Sequence, residues 1–320
     1  MGLALKALNK QPGTQHQFAI TGYDGTASLG DQAVKLGAVD RAERALPAAV
    51  SKADIVFLDL PFHEVESALS LMGGALKSGA VVMDASLLKQ PAIAWAKTHL
   101  RQNQAAEPEA YLVGVHLLLN PGQIADYRDT LDAARADLFN GGLMIISPAS
   151  DCPEEAVQLV ADLAGLLGVK QHFADPYEHD GIIAAMEGLP LLLQLALFRS
   201  LSRSKSWDDL RWMGNTAFFL GTYQLGQGDP EALGKVLHQS REALLRRVDD
   251  AMETLNELRD VLRAGDEMAI SEALDGAMNS YVKWDKARRS NEWLPTPAIP
   301  SPAEGFRPLG NLLGFGRKKK

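Results

Sequence analysis

The sequence predicts a two-domain chain: a doubly wound parallel α/β sheet followed by an all-α domain. Three observations predict it. Short apolar runs alternate with helix-like stretches from Phe18 to about Phe173, helical periodicity stands alone from Asp175 to about Lys286, and proline becomes dense after Asn291. The expected division is residues 1–173 as the Rossmann-like α/β domain, 174–290 as the all-α domain, and 291–320 as a disordered, Pro-rich basic tail.

At 320 residues the chain is long enough for two hydrophobic cores. Its composition, 46% apolar and 22% charged, is that of a globular protein. A net charge of −8 argues against nucleic acid as a partner, because a phosphate backbone calls for a basic face. No apolar run reaches the ~18 residues of a membrane span, and Met1 to Lys6 is too short and too soon polar for a secretory signal. Cys152 is the single cysteine, which excludes an internal disulfide framework and a thiolate metal cluster and fits a reducing cytoplasm.

The apolar runs are Phe18–Gly22, Ile55–Leu60, Ala80–Asp84, Tyr111–Val115 and Leu143–Ile146, and segments such as Val65–Leu76 and Glu154–Leu167 between them carry helical spacing. Strands alternating with helices imply a parallel sheet covered on both faces. Ligands of such sheets gather beyond the carboxyl ends of the strands, so the residues after each run are the candidates for chemistry. In the second zone Leu244, Val248, Ala251, Leu255, Leu258 and Leu262 repeat at intervals of four and three, the spacing of a short coiled-coil seam or of a core-facing helix. In the tail, Leu309 to Phe315 beside the closing basic cluster reads as a solvated segment or a small surface contact.

Asp24 follows the first run in Gly22-Tyr23-Asp24, where an acidic residue binds the ribose hydroxyls of NAD and repels the extra phosphate of NADP. An N-cap or turn aspartate is the alternative. The stretch Gly2 to Leu8 reads as the helix after a G-x-G-x-x-G turn, with Gly2 as the last glycine of that motif. On this reading the first strand and two glycines are absent, and the chain as written is expected to bind NAD weakly.

The order of the pieces Gly22-Tyr23-Asp24, Leu36 to Asp40, Ala53 to Pro61, Asp84 to Lys89, Val113 to His116, Ala136 to Gly141 and Asp175 to Asp180, closed by Leu189-Pro190, resembles the prephenate/arogenate dehydrogenase family from about Gly2 to Asp266. The resemblance implies an oxidative decarboxylation in tyrosine biosynthesis: hydride passes from the ring to NAD (NADP being possible) as carbon dioxide leaves. It matches His116 to the histidine placed on the ring hydroxyl, whose proton must be lost as the carbonyl forms. It matches Ser86 and Lys89 to the family's G-S-x-K stretch, and it sets Pro61 beside the cofactor crevice. On the residues alone, His116 is equally a neutral histidine satisfying loop carbonyls.

The sequence departs from the family at the substrate. Where the family has S-H-L-P-H, this chain has Glu187-Gly188-Leu189-Pro190-Leu191, so both histidines are lost. The expected carboxylate-clamping arginine falls at Gln224, a neutral dipole in place of a bidentate guanidinium; Arg211 or Arg199 is the candidate substitute. His63 reads as a solvent-facing loop histidine, and His179 as part of the capping of an interdomain helix. No metal site is legible. Three accounts fit: a small-molecule dehydrogenase of this family, a relative with another substrate, or a non-catalytic homodimer that kept the fold.

Overall fold

The computed structural model describes residues 1–13, 16–100, 110–120, 133–290 and 292. The tail expected over 291–320 lies outside them, apart from residue 292. The chain opens with α1 (Gly2–Leu8), β1 (Thr21–Gly22), α2 (Ala27–Lys35), β2 (Arg41–Ala42) and α3 (Leu46–Val50). There follow β3 (Ile55–Leu58), α4 (Val65–Gly73), β4 (Ala80–Asp84), α5 (Lys89–His99), β5 (Ala110–Leu118), β6 (Leu143–Pro148), α6 (Glu154–Leu166) and β7 (Lys170–Phe173). The remainder is helical: α7 (Pro176–Ile183), a π turn (Ala184–Gly188), α8 (Leu189–Ser202), α9 (Trp207–Leu210), α10 (Thr216–Leu220), α11 (Pro230–Gln239), α12 (Arg241–Ala264) and α13 (Glu267–Arg289).

Among the described residues the strands form two sheets, a parallel β1-β2 pair and a five-stranded sheet in the order β3-β4-β5-β6-β7. The larger sheet corrects the expectation of a wholly parallel one: β6 runs antiparallel to β5, with Leu117 opposite Met144. Two strands were not legible. Arg41–Ala42 is too short to show alternation, and Lys170–Phe173 is partly exposed and polar.

Alternation along β4 shows why the sheet carries helices on both faces. Val81 and Met83 pack with Val113, Met144 and α6, whereas Ala80 and Val82 pack with α4 and α5. A strand buried on both faces reads as an unbroken apolar run, and β4 is buried at every position. Helix α1 lies on the α6 face, where Ala4 joins the core. Gly2 permits this approach: a Cβ there would stand 2.2 Å from the Ala38 carbonyl oxygen.

The α7, π-turn and α8 segments run as one 27-residue helix, Pro176–Ser202, long and apolar enough by length and composition to cross a membrane. Asp180 and Glu187 interrupt its apolar run in the sequence. Of its buried residues, His179, Asp180 and Ile183 meet the sheet domain, whereas Gly188 packs on Leu244 of α12.

Candidate active site

Parallel strands β3, β4 and β5 bring their carboxyl ends to one edge, and the residues there do most of the polar work. At the end of β4 the chain turns through Asp84 and Ser86 into α5. Ser86 donates its hydroxyl to Asp84 Oδ2 at 2.8 Å. Lys89 is fully buried; its ammonium donates to the carbonyls of Asp84 (3.0 Å) and Ser86 and stands 3.7 Å from Asp84 Oδ2. Burial drives the Lys89 pKa down, and the Asp84 carboxylate opposes that drive. Room for the lysine stem comes from Gly114 on β5, where a Cβ would meet Lys89 Cδ at 2.7 Å.

Ser86 and Lys89 are therefore turned inward. The hydroxyl and the ammonium both serve the Asp84 turn, which a buried carboxylate requires, since an uncompensated charge there is costly.

His116 sits near the end of β5. Its Nδ1 lies 3.2 Å from Nε2 of His179, and Nδ1 of His179 lies 3.2 Å from Asp180 Oδ1. Desolvation first, then the neighbouring His179 and Lys89, lower the His116 pKa from 6.5 to about 4, so the ring is neutral at neutral pH. Asp180 also accepts the backbone N–H groups of Lys89 (2.7 Å) and Gln90 (2.9 Å), two of the orphan donors at the start of α5. One carboxylate of the helical domain thus holds both the second histidine and the helix after the β4 turn.

His179 is not the cap of α7. That role belongs to Asp175, whose side chain accepts from the N–H groups of Tyr177 and Glu178. The sequence held a signal for the buried pair. His179 and Asp180 precede Ile183 and Ala184 by four residues, so they occupy the stripe of α7 that packs inward. His63 is likewise not solvent-facing: its side chain is 23% exposed, and its buried Nδ1 lies 4.0 Å from Asp229 Oδ2.

A cavity of about 200 Å³ opens between the Ser86–Lys89 turn and the helical domain, lined by Leu87, Glu187, Gly188, Leu191, Gln224 and Gln227 together with apolar residues of α11. The two positions where the family pattern has histidine, Gly188 and Leu191, both face it. Gln224 lines it too and exchanges hydrogen bonds with Gln194 at 2.9 and 3.1 Å. Partial burial raises the Glu187 carboxyl above the ordinary range. Among the described residues that line this cavity none is an arginine or a lysine. Arg211 lies outside its lining: it is exposed, 3.3 Å from Asp208 on the preceding turn of helix. Arg199 is exposed on the last turn of α8.

For a dinucleotide, Asp24 follows β1 with an exposed carboxylate, one oxygen of which accepts Thr26 N–H at 2.7 Å. Pro61 is exposed at the end of β3, where it opens the turn Phe62–Glu64. Gly2 supplies close packing of α1 on the Ala38 backbone. Among the described residues no cluster of three metal-ligating side chains occurs.

Two family descriptions match the chain: prephenate dehydrogenase, nucleotide-binding domain, over residues 7–173, and prephenate dehydrogenase, dimerization domain, over residues 175–276. A cyclohexadienyl dehydrogenase of Zymomonas mobilis is 24% identical over 245 residues, which cover 76% of this chain and 80% of the relative. Among solved structures, prephenate dehydrogenase of Aquifex aeolicus in complex with hydroxyphenyl propionate and NAD+ superposes with a TM-score of 0.71 at 19% identity, covering 88% of this chain and 93% of that one. Synechocystis arogenate dehydrogenase superposes with a TM-score of 0.66 at 20% identity, covering 88% and 95%.

Proposed function

This chain belongs to the prephenate dehydrogenase family, and on that premise we propose that it oxidises a ring hydroxyl of a cyclohexadienol, prephenate or arogenate, with loss of carbon dioxide. The bound nicotinamide dinucleotide supplies the hydride acceptor. The observation that carries the proposal is the neutral His116 near the carboxyl end of β5, its Nδ1 held by His179 of the helical domain. With Nδ1 engaged by His179, its Nε2 is left to take the hydroxyl proton as the carbonyl forms. Ser86 and Lys89 act at one remove, by holding the Asp84 turn that shapes the edge. Asp24 favours NAD over NADP, because its carboxylate accepts from ribose hydroxyls and repels a phosphate.

A second reading has its own observation. A dianionic substrate calls for guanidinium recognition, yet the cavity walls carry Glu187, Gln224 and Gln227 and no cation among the described residues. That set favours a relative whose substrate bears less negative charge than prephenate. We further propose a homodimer made through the helical domain. The start of the α12 seam is used within the chain, where Leu244 packs on Gly188, but Leu255, Leu258 and Leu262 stand exposed.

Steady-state turnover with prephenate and with arogenate, each with NAD+ and NADP+, tests the proposal. Cofactor reduction with either cyclohexadienol supports it, preference for arogenate favours the less anionic reading, and no reduction with any of the four combinations, at cofactor concentrations high enough to offset the weak binding expected of this chain, refutes the activity.

A further inference from the structure

The His116 ring has two nitrogens; His179 engages Nδ1, so only a lone pair on Nε2 serves to accept a proton. The tautomer is therefore a functional property that the surroundings must set. The Asp180 carboxylate oxygen Oδ1, an acceptor, lies 3.2 Å from Nδ1 of His179 and takes the hydrogen bond of its Nδ1–H. A neutral His179 whose Nδ1 carries the proton has its lone pair on Nε2, the atom that lies 3.2 Å from His116 Nδ1. His116 must then carry its own proton on Nδ1 and donate it to His179.

Resting on the proposed dehydrogenase activity, we propose that His179 is a positioning residue: with Asp180 behind it, its imidazole holds His116 in the Nδ1–H tautomer and directs the Nε2 lone pair at the substrate hydroxyl. Burial makes the arrangement stiff. His179 is 1% exposed, and Asp180 is tied to the N–H groups of Lys89 and Gln90 as well as to the histidine. The logic is that of a carboxylate orienting a histidine in a hydrolase triad, with a second imidazole inserted between the two. The device also spans the junction, since His116 belongs to β5 and the pair that orients it to α7. Opening the junction would release the tautomer.

The charged and titratable groups around the pair define its pH response. His116 faces His179 from α7 and the Lys89 ammonium from α5, and His179 faces Asp180. Protonating His179 would turn its Nε2 from acceptor to donor, reverse the shared hydrogen bond and place the His116 proton on Nε2.

The test is the tautomer, read by nitrogen–proton correlation spectra of the full chain labelled with 15N-histidine at neutral pH, in wild type, His179→Gln and His179→Leu. The expected wild-type His116 is Nδ1–H. Glutamine retains an amide oxygen able to accept from Nδ1–H, so His179→Gln keeps the tautomer, whereas His179→Leu shifts it towards Nε2–H. Where turnover is measured, His179→Leu loses on the order of 10²-fold in kcat with KM little changed, and His179→Gln recovers about tenfold of that. A wild-type His116 protonated on Nε2, or a tautomer unmoved in His179→Leu, overturns the inference. Wild-type protein inert towards both cyclohexadienols but carrying the Nδ1–H tautomer would instead refute the proposed activity and leave the orientation standing.

Discussion

Asp180 Oδ1 accepts the backbone N–H of Lys89 at 2.7 Å across 91 positions of chain. The contact joins the first helix of the helical domain to the helix that leaves the β4 turn, and Oδ2 repeats it on Gln90 at 2.9 Å. A carboxylate at a helix N-terminus satisfies orphan donors and complements the macrodipole.

Asp180→Ala should therefore weaken the junction. Two charge-assisted hydrogen bonds are lost and buried donors are left unpaired, which costs about 2–3 kcal/mol. Asp180→Asn, which keeps an accepting oxygen, should cost about half as much. Urea unfolding followed by circular dichroism checks the order of the two.

Lys89→Met removes the cation that faces the buried Asp84 carboxylate. Breaking one side of a buried pair costs about 3–5 kcal/mol, because the remaining charge is uncompensated. Adding Asp84→Asn removes that charge and should recover a large part of the loss. A double-mutant cycle in urea measures the coupling; additive losses would show that the two side chains do not share one electrostatic site.

Burial of neutral His116 makes the fold acid-sensitive. Its pKa falls from 6.5 in the unfolded chain to about 4 in the folded one, so between those values the unfolded chain binds a proton that the native chain does not. Stability from this group is complete above about pH 6.5, falls as the pH is lowered, and is lost by about pH 4, a change of about 3 kcal/mol. His116→Asn should flatten the fall in melting temperature over that window. An unaltered slope would show that the ring is not desolvated.

Much of the fold was legible because periodicity reports burial. Val81, Val82 and Met83 read as a strand buried on both faces, and they are one; α4 and α6 likewise lie where the spacing put them. Strand direction was not legible, since the pattern of Leu143–Ile146 is the same whichever way β6 runs. At the site, Ser86, Lys89 and His116 were found through the order of motifs, but their directions were not. Whether a lysine ammonium points at a ligand or at Asp84 depends on Gly114, which lies 25 positions away and leaves room for the inward stem. His179 and Asp180 were obscured by Asp175-Pro176, a capping signal strong enough to account for the neighbouring polar residues.

Leu255 and Leu258 are exposed on α12 and lie outside the buried core of the described residues. If they form a subunit contact, the double change Leu255→Glu, Leu258→Glu places like charges at that contact and should halve the mass seen by light scattering at micromolar concentration. A wild-type monomer would reject the dimer, and a dimer that survives the double change would move the contact elsewhere on the helical domain.

The role of His116 as proton acceptor is tested most directly by steady-state kinetics of His116→Asn with the cyclohexadienol that the wild-type full chain oxidises. An interaction made chiefly in the transition state lowers kcat far more than it raises KM. The predicted result is a kcat lower by about 10²–10⁴-fold with KM within about threefold of wild type. A kcat equal to that of the wild type would contradict the account and leave His116 as a buried histidine that only packs the edge of the sheet.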